Sequence, residues 1–161
     1  MSLYLNALEF LEEERDAWRP FEALEALTDE QLERPVPAAH DWSGRDLMGH
    51  LVAWVARSLE VARELAVNEE SPTKARMDRD WDEIGGAVIN QAIDDEWRAL
   101  PLEEVRRRFH EWPGELRGYL TVVPETRWVK HDDNLTFFLE ETTEHYAEHL
   151  ADLEAILAAV S

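Results

Sequence analysis

Cysteine is absent from all 161 residues of this chain. The sequence therefore has no disulfide framework, no thiolate metal ligand and no cysteine nucleophile. Any thiol chemistry must come from a separate low-molecular-weight cofactor.

Long hydrophobic runs are also absent, and no stretch approaches the length that crosses a bilayer. The first residues lack the basic segment and the small-residue cleavage site of a signal peptide. These absences predict a soluble, cytoplasmic protein with no membrane partner.

Basic side chains are scarce, with 16 Lys and Arg against 36 Asp and Glu, for a formal charge of -20. Such a surface repels the phosphate backbone that supplies most non-specific nucleic-acid affinity. The one basic run, Arg106 to Arg108, lies among Glu103, Glu104 and Glu111, as on a solvated helix face. We expect no nucleic-acid partner.

Strand-like alternation, glycine-rich phosphate loops and internal repeats are likewise missing, and helical periodicity dominates. We predict an all-α protein with a single domain over residues 1–161. The four predicted long helices span residues 3–27, 43–68, 102–123 and about 134–160.

Proline, glycine and capping residues refine these helices. Pro20 is expected to kink or split the first helix, whose predicted inner face includes Leu5, Leu8 and Leu11. Thr28 and Gln31 have the spacing of a capping box that opens a short turn. Pro113 predicts a kink in the third helix.

The stretch between residues 73 and 100 is harder to assign. Ser71 and Pro72 are typical of a helix start, but Gly85 and Gly86 interrupt the periodicity. We expect a loop followed by a shorter helix.

Three histidines provide the main functional signal. His50 lies in the apolar stripe of the second helix, and His145 and His149 are four residues apart on the last helix, so they share a face. A single core histidine is more often structural, but three inward imidazoles without a shared task would each lose hydration. One divalent ion would satisfy all three, although the residues alone leave the structural alternative open.

Two residues beside these histidines have other roles to consider. Tyr146 stands where a zincin would carry its glutamate base, which excludes that type of metalloprotease. Glu141 lies one turn before His145 and is a candidate acid/base or a partner for a ligand. Glu144 and Glu148 are expected on the solvated flank of the helix.

Two aromatic residues complete the candidate site, and three further histidines are expected outside it. Trp54 is one turn after His50, as core filler or pocket wall, and we expect Trp54 and Tyr146 to shape a substrate pocket. His40, His110 and His131 lack ligand spacing and are expected at the surface or in loops.

Three segments carry a family resemblance. LTDEQLERPVPAAHDWSGRDLMGHLVAW and HYAEHLADLEAIL resemble the second-helix entry and the last helix of the DinB-like superfamily. AVINQAIDDEWRALPLEEVRRRFHEWPGELRGYL is similar to its ClbS/DfsB branch. The resemblance implies a DinB/YfiT-like four-helix bundle, a metal held by His50, His145 and His149, and a homodimer.

The resemblance also implies a range of activities. Members include transferases and isomerases that use mycothiol or bacillithiol, and the ClbS type, which opens a reactive ring of a genotoxin. Mycothiol-dependent maleylpyruvate isomerases are similar at the second-helix entry but typically carry an acidic residue where this chain has His145.

Residues and resemblance together predict a metal-dependent enzyme that acts on a small electrophilic molecule by hydrolysis or thiol transfer. Zinc is the expected ion, with nickel or iron as alternatives, and three imidazoles would leave a coordination position open. The alternative is a non-catalytic self-protection protein that sequesters a small molecule around a structural metal.

Overall fold

The computed structural model describes residues 3–161, and helices account for most of them. The α-helices are α1 (Ala7–Trp18), α2 (Asp29–Glu33), α3 (Gly44–Val67), α4 (Pro72–Glu83), α5 (Gly86–Arg98), α6 (Leu102–Val122), α7 (Asp132–Glu141), α8 (Thr143–Glu148) and α9 (Leu150–Val160). Within residues 3–161 there is no β-strand, only an isolated bridge between Val36 and Trp42. The all-α prediction is confirmed.

The first predicted helix is shorter than expected. The Asn6 side chain accepts a hydrogen bond from the Glu9 amide and starts α1, and a 3₁₀ segment, Arg19–Ala26, follows because Pro20 ends the α-helical pattern. Leu5 and Leu8 were wrongly predicted to face inward, since they are 79% and 62% exposed. Leu5 precedes the helix, so the assumed helical phase does not apply to it.

The predicted capping box is present at the start of α2. Thr28 accepts from the Gln31 amide while the Gln31 side chain accepts from the Thr28 amide. The following loop closes through the bridge to Trp42, and His40 and Asp41 take left-handed backbone conformations.

Helix α3 is the centre of the fold and confirms the second predicted helix. Ser43 and Asp46 form a second capping box at its start. The helix packs against α4, α5, α6, α7 and α9, which buries side chains around much of its circumference. His50 and Trp54 lie on this helix and are therefore fixed by the core.

The stretch between residues 73 and 100 differs from the sequence prediction. Both halves are helical, because Ser71 caps α4 and its hydroxyl donates to Glu64 on α3. Gly85 has a φ of 101°, a backbone conformation that residues with a β-carbon rarely adopt, and α5 starts at Gly86. The resulting α4–α5 pair covers one side of α3.

Helix α6 confirms the third predicted helix and continues through Pro113. It forms the most extensive packing with α3. Arg117 on α6 pairs with Glu14 on α1, with Nε 2.5 Å from Oε1, and Glu14 is almost fully buried. This ion pair links α6 to α1.

The last predicted helix is divided into three, contrary to the expectation of one continuous helix. Thr142 (φ -119°, ψ -98°) separates α7 from α8, and His149 (φ -104°, ψ 6°) separates α8 from α9. Both residues leave α-helical dihedrals, so the backbone changes direction on either side of His145.

Helices α1, α3, α6 and the α7–α9 run form the bundle, with α1 against α8 and α3 against α7 and α9. Among residues 3–161, no helix is long and apolar enough to cross a membrane.

Candidate metal centre and adjoining cavity

The structure brings the three predicted histidines together. His50 and His145 are buried, His149 is half-buried, and one ligand nitrogen from each lies within 4.8 Å of the others. The Nε2 atoms of His50 and His145 are 3.1 Å apart. Helix α3 supplies the first ligand, and the α8 segment with its C-terminal boundary supplies the other two.

The spacing of His50 and His145 fits coordination of one ion. Zinc bonds to imidazole nitrogen at about 2.0–2.1 Å, which holds two ligand nitrogens roughly 2.8–3.4 Å apart for bond angles between octahedral and tetrahedral values. The 3.1 Å separation between His50 and His145 lies in that range. Three nitrogen donors also suit zinc and other borderline divalent ions.

Two carboxylates orient two of the three candidate ligands. Asp94 Oδ1 on α5 lies 3.3 Å from His50 Nδ1, and Asp152 Oδ2 on α9 lies 3.0 Å from His149 Nδ1. A carboxylate that accepts the Nδ1 proton fixes the ring and leaves Nε2 as the donor to a metal. Sequence analysis missed both residues. The spacing from His149 to Asp152 gave a local signal, whereas Asp94 meets His50 only through the tertiary fold.

The loop before α3 covers the histidines from one side. Trp42 stacks on His149, with ring centres 5.5 Å apart, and its ring is 4.8 Å from that of His50. His40 Nε2 lies 3.5 Å from Asp152 Oδ1, although the His40 side chain is 80% exposed. The fold thus brings a loop histidine close to the site without placing it among the three ligand candidates.

Burial favours the neutral form of His145 and His149. Desolvation, reinforced by His50 and His149, lowers the pKa of His145 to about 3. Burial also lowers the pKa of His149, while the hydrogen bond that His149 donates to Asp152 acts in the opposite direction. The Nδ1 atom of His145 is buried without a hydrogen-bond partner among the described residues. Neutral imidazoles are the protonation state that binds metal.

A cavity of about 1290 Å³ adjoins the three histidines. Its walls come from α3, α4, α5, α6, α7 and α8 and from the loop before α3, and its lining includes His50, His145 and His149. Trp54 forms part of the cavity wall, and its Nε1 donates to Asn90 Oδ1 at 3.1 Å. Its ring lies 6.4 Å from that of His145.

Comparison with known proteins identifies the family. The family model of the mycothiol maleylpyruvate isomerase N-terminal domain matches residues 11–154. The chain belongs to this family. The match places it in the DinB-like superfamily and covers all three histidines together with Asp94 and Asp152. No curated protein matches the chain, and no solved structure does.

Glu141 lines the same cavity. Burial, with a smaller effect from Glu140, raises the pKa of Glu141 to about 8, while Arg57 acts in the opposite direction. A carboxyl group with that pKa carries its proton at neutral pH. It is therefore equipped to donate a proton inside the cavity.

Tyr146 lies elsewhere. Its hydroxyl donates to Glu14 Oε2 at 3.1 Å, its ring packs against Trp18, and it is 1% exposed. It is not among the described residues that line the cavity. Tyr146 follows His145 directly and therefore points from α8 into the core, where Glu14 also pairs with Arg117.

His110 and His131 lie outside the cavity, whereas His40 is among the residues that line it. His110 Nδ1 is 2.7 Å from Glu25 Oε1 on an exposed surface. His131 Nδ1 accepts from the Asn134 amide and caps α7. Their placement agrees with the surface and loop positions expected from the sequence.

Proposed function

We propose that this protein is a divalent-metal-dependent enzyme that joins a low-molecular-weight thiol to a small electrophilic molecule. The observation that carries the proposal is a set of three convergent imidazoles at the wall of a large cavity. Structural zinc sites normally have four protein ligands, whereas catalytic sites have three and keep a position for water or substrate.

The thiol is supported by the family and by the cavity. The matched family model is named for a mycothiol-dependent isomerase, and a chain without cysteine needs an external thiol. Small-molecule sites commonly occupy about 300–1,000 Å³. The cavity of about 1290 Å³ has room for a thiol together with a second molecule.

In this proposal His50, His145 and His149 hold the ion, for which zinc is the expected metal, and Asp94 and Asp152 orient two of the rings. When bound, such an ion lowers the pKa of a thiol or water and polarises an electrophile.

The cavity wall supplies the remaining groups. Trp54 forms part of the wall of the reaction space. A bond forms between the thiolate sulfur and an electrophilic carbon as a bond of the electrophile breaks. Glu141 donates its proton to the atom that leaves carbon, and the proton released by the thiol restores Glu141.

Hydrolysis is the variant of this chemistry in which water replaces the thiol. The ClbS/DfsB resemblance, carried by residues 87–120, favours ring opening by water and stays a proposal alongside thiol transfer. The presence or absence of thiol in the reaction with one electrophile separates the two.

Sequestration remains the second candidate, favoured by the cavity size alone. A sequestering protein binds one equivalent and stops, whereas an enzyme consumes excess electrophile. Consumption of the electrophile is measured at about a tenfold excess over protein, which exceeds the single equivalent that a binding protein can take up. This measurement distinguishes the two candidates.

The site itself is tested with cobalt. Cobalt(II)-loaded protein is titrated with a simple thiol, such as cysteamine, and visible and near-ultraviolet spectra are recorded. We expect a sulfur-to-cobalt charge-transfer band, because a three-histidine site leaves a position for the thiolate. A spectrum unchanged by thiol would mean that the metal position is closed and would overturn the proposal.

Alanine variants identify the ligands. His50→Ala, His145→Ala and His149→Ala should each lose most bound metal, because two histidines are too few for tight binding of a labile ion. His110→Ala is the matched control, since this histidine pairs with Glu25 outside the cavity. Elemental analysis with thermal melts separates metal loss from unfolding. Unchanged metal content in His50→Ala would rule out the three-histidine site.

A further inference from the structure

The cavity beside the histidines is strongly acidic. Ten Asp and Glu side chains line it, of which Glu141 holds its proton at neutral pH, against three guanidinium groups, from Arg57, Arg76 and Arg108. Even with a divalent cation on the three neutral histidines, carboxylates would remain in excess. The electrostatic potential of the cavity therefore opposes an anionic ligand and attracts a cationic one.

All three guanidinium groups already have partners. Arg76 lies 3.9 Å from Glu60, and Arg108 donates to Glu104 at 2.8 Å. Arg57 donates to the Ala53 carbonyl and lies over the Trp54 ring. An incoming carboxylate would have to displace these contacts to find a cation.

Many carboxylates, in contrast, are available. Six that line the cavity have no ion-pair partner within 4 Å among residues 3–161: Asp80, Asp82, Glu96, Glu140, Glu144 and Glu148. They come from α4, α5, α7 and α8, so they surround the space rather than occupy one face. His145 faces the same cavity and is 9% exposed, with its Nδ1 lacking a partner among the described residues.

Aromatic rings provide surfaces for a cation. Trp54 and Trp81 meet edge to face, with ring centres 6.0 Å apart, and Trp81 is 48% exposed. A second corner, between Trp97 and Trp112, already holds a cation, because the Arg108 guanidinium lies 5.1 and 4.8 Å from their ring centres. Tryptophan rings that line the cavity thus already contact one positively charged group of this protein.

The position of Trp81 is set by the backbone. A β-carbon at Gly86 would lie 2.6 Å from the Trp81 ring, so only glycine lets the indole lie against the start of α5. This contact holds an exposed tryptophan at the cavity instead of leaving it free on the surface.

We propose that the substrate of this site carries a positively charged amine or ammonium group, which the Trp54–Trp81 corner and the unpaired carboxylates of the cavity bind. The inference rests on the proposed function in taking this cavity as the substrate site. It implies discrimination against dicarboxylates, because they would meet many carboxylates and no unengaged guanidinium among the described residues.

Three probes of equal shape test the charge preference: choline, its neutral isostere 3,3-dimethylbutan-1-ol, and the anion 3,3-dimethylbutanoate. Binding is followed by tryptophan fluorescence at low ionic strength, with metal-free and zinc-loaded protein. We expect choline to bind about five- to thirtyfold more tightly than the alcohol, because its ammonium gains contact with aromatic faces and carboxylates. The metal-free protein should bind the anion most weakly. Added salt should reduce the preference.

Variants locate the preference. Trp81→Leu should weaken choline binding severalfold and leave alcohol binding nearly unchanged. Asp80→Asn with Glu140→Gln should do the same, since these lining residues belong to two different helices, α4 and α7. The matched control is Glu69→Gln with Glu70→Gln, which removes two exposed charges outside the cavity and should leave the preference intact.

Equal binding of choline and the alcohol, or tightest binding of the anion in metal-free protein, would overturn the substrate-class inference. A cobalt–thiol response in the same protein would then leave the proposed function standing. Loss of that response with choline preference retained would overturn the proposed function alone. Retention of the full preference in Trp81→Leu and in the paired acidic variant would also overturn the inference.

Discussion

At the scale of single residues, Asp94 and Asp152 fix the orientation of two of the three histidine rings. Each accepts from one ring at Nδ1 and directs Nε2 toward the common point. Asp94→Asn and Asp152→Asn should therefore weaken zinc binding by about 10–100-fold without unfolding the protein.

Competition with a chromophoric chelator measures this loss. Asp132→Asn is the control, because this exposed residue lies outside the cavity. Zinc affinity equal to that of the parent in both Asp94→Asn and Asp152→Asn would mean that the carboxylates do not position the ligands.

Glu141 gives a second prediction at this scale. Its pKa is raised to about 8, so between about pH 4.5 and 8 the folded protein holds a proton that the unfolded chain has released. Its contribution to folding stability is therefore greatest below that window and falls as pH rises through it. Glu141→Gln cannot ionise and should lack this fall.

Urea denaturation of metal-free protein at pH 5, 7 and 9 checks the prediction. Relative to Glu141→Gln, the parent should lose more than about 1 kcal/mol across this range. Glu69→Gln serves as the exposed control. Parallel pH profiles for the parent and Glu141→Gln would place the titration at another group.

The sequence located the three histidines but not all of their surroundings. Helical spacing was sufficient for His145 and His149, and the apolar stripe of the second helix was sufficient for His50. Asp94 approaches from α5, whose packing on α3 has no local signature. Tyr146 shares a helix turn with His145, yet its ring enters the core, a direction that depends on Glu14 and Trp18 from α1.

At the scale of helices, local capping and proline signals predicted α2, α3 and α6 well, because their determinants lie within a few residues of each end. The prediction of one continuous last helix was wrong. The hydrophobic pattern continues across Thr142 and His149, so periodicity cannot detect a backbone that leaves helical dihedrals at both residues.

The start of α3 gives a prediction for an element. Ser43 accepts from the Asp46 amide and is 5% exposed, at the entry to the helix that carries His50. Ser43→Ala should destabilise the protein by about 1 kcal/mol, because a buried amide loses its cap. Thermal and urea unfolding measure the effect, with exposed Ser161→Ala as the control. Identical stability would show that the cap is dispensable.

At the scale of the whole molecule, charge gives the clearest expectation. With a formal charge of -20, the protein should show no affinity for generic duplex DNA even at low ionic strength. A mobility-shift assay checks this, and salt-sensitive binding would contradict it. Homodimer formation stays a prediction that sedimentation of the purified protein can test.

Helix α8 has a consequence for how new chemistry can arise on this scaffold. Its six residues lie between two backbone breaks, with Tyr146 anchored in the core and His145 facing the cavity. If His145 binds the ion as proposed, its replacement by another donor is expected to change the preferred ion while Tyr146 keeps its hydrogen bond to Glu14. The residue of α8 that stabilises the bundle is thus a different residue from the one that faces the cavity. The cavity residue can therefore change during evolution while the fold is kept.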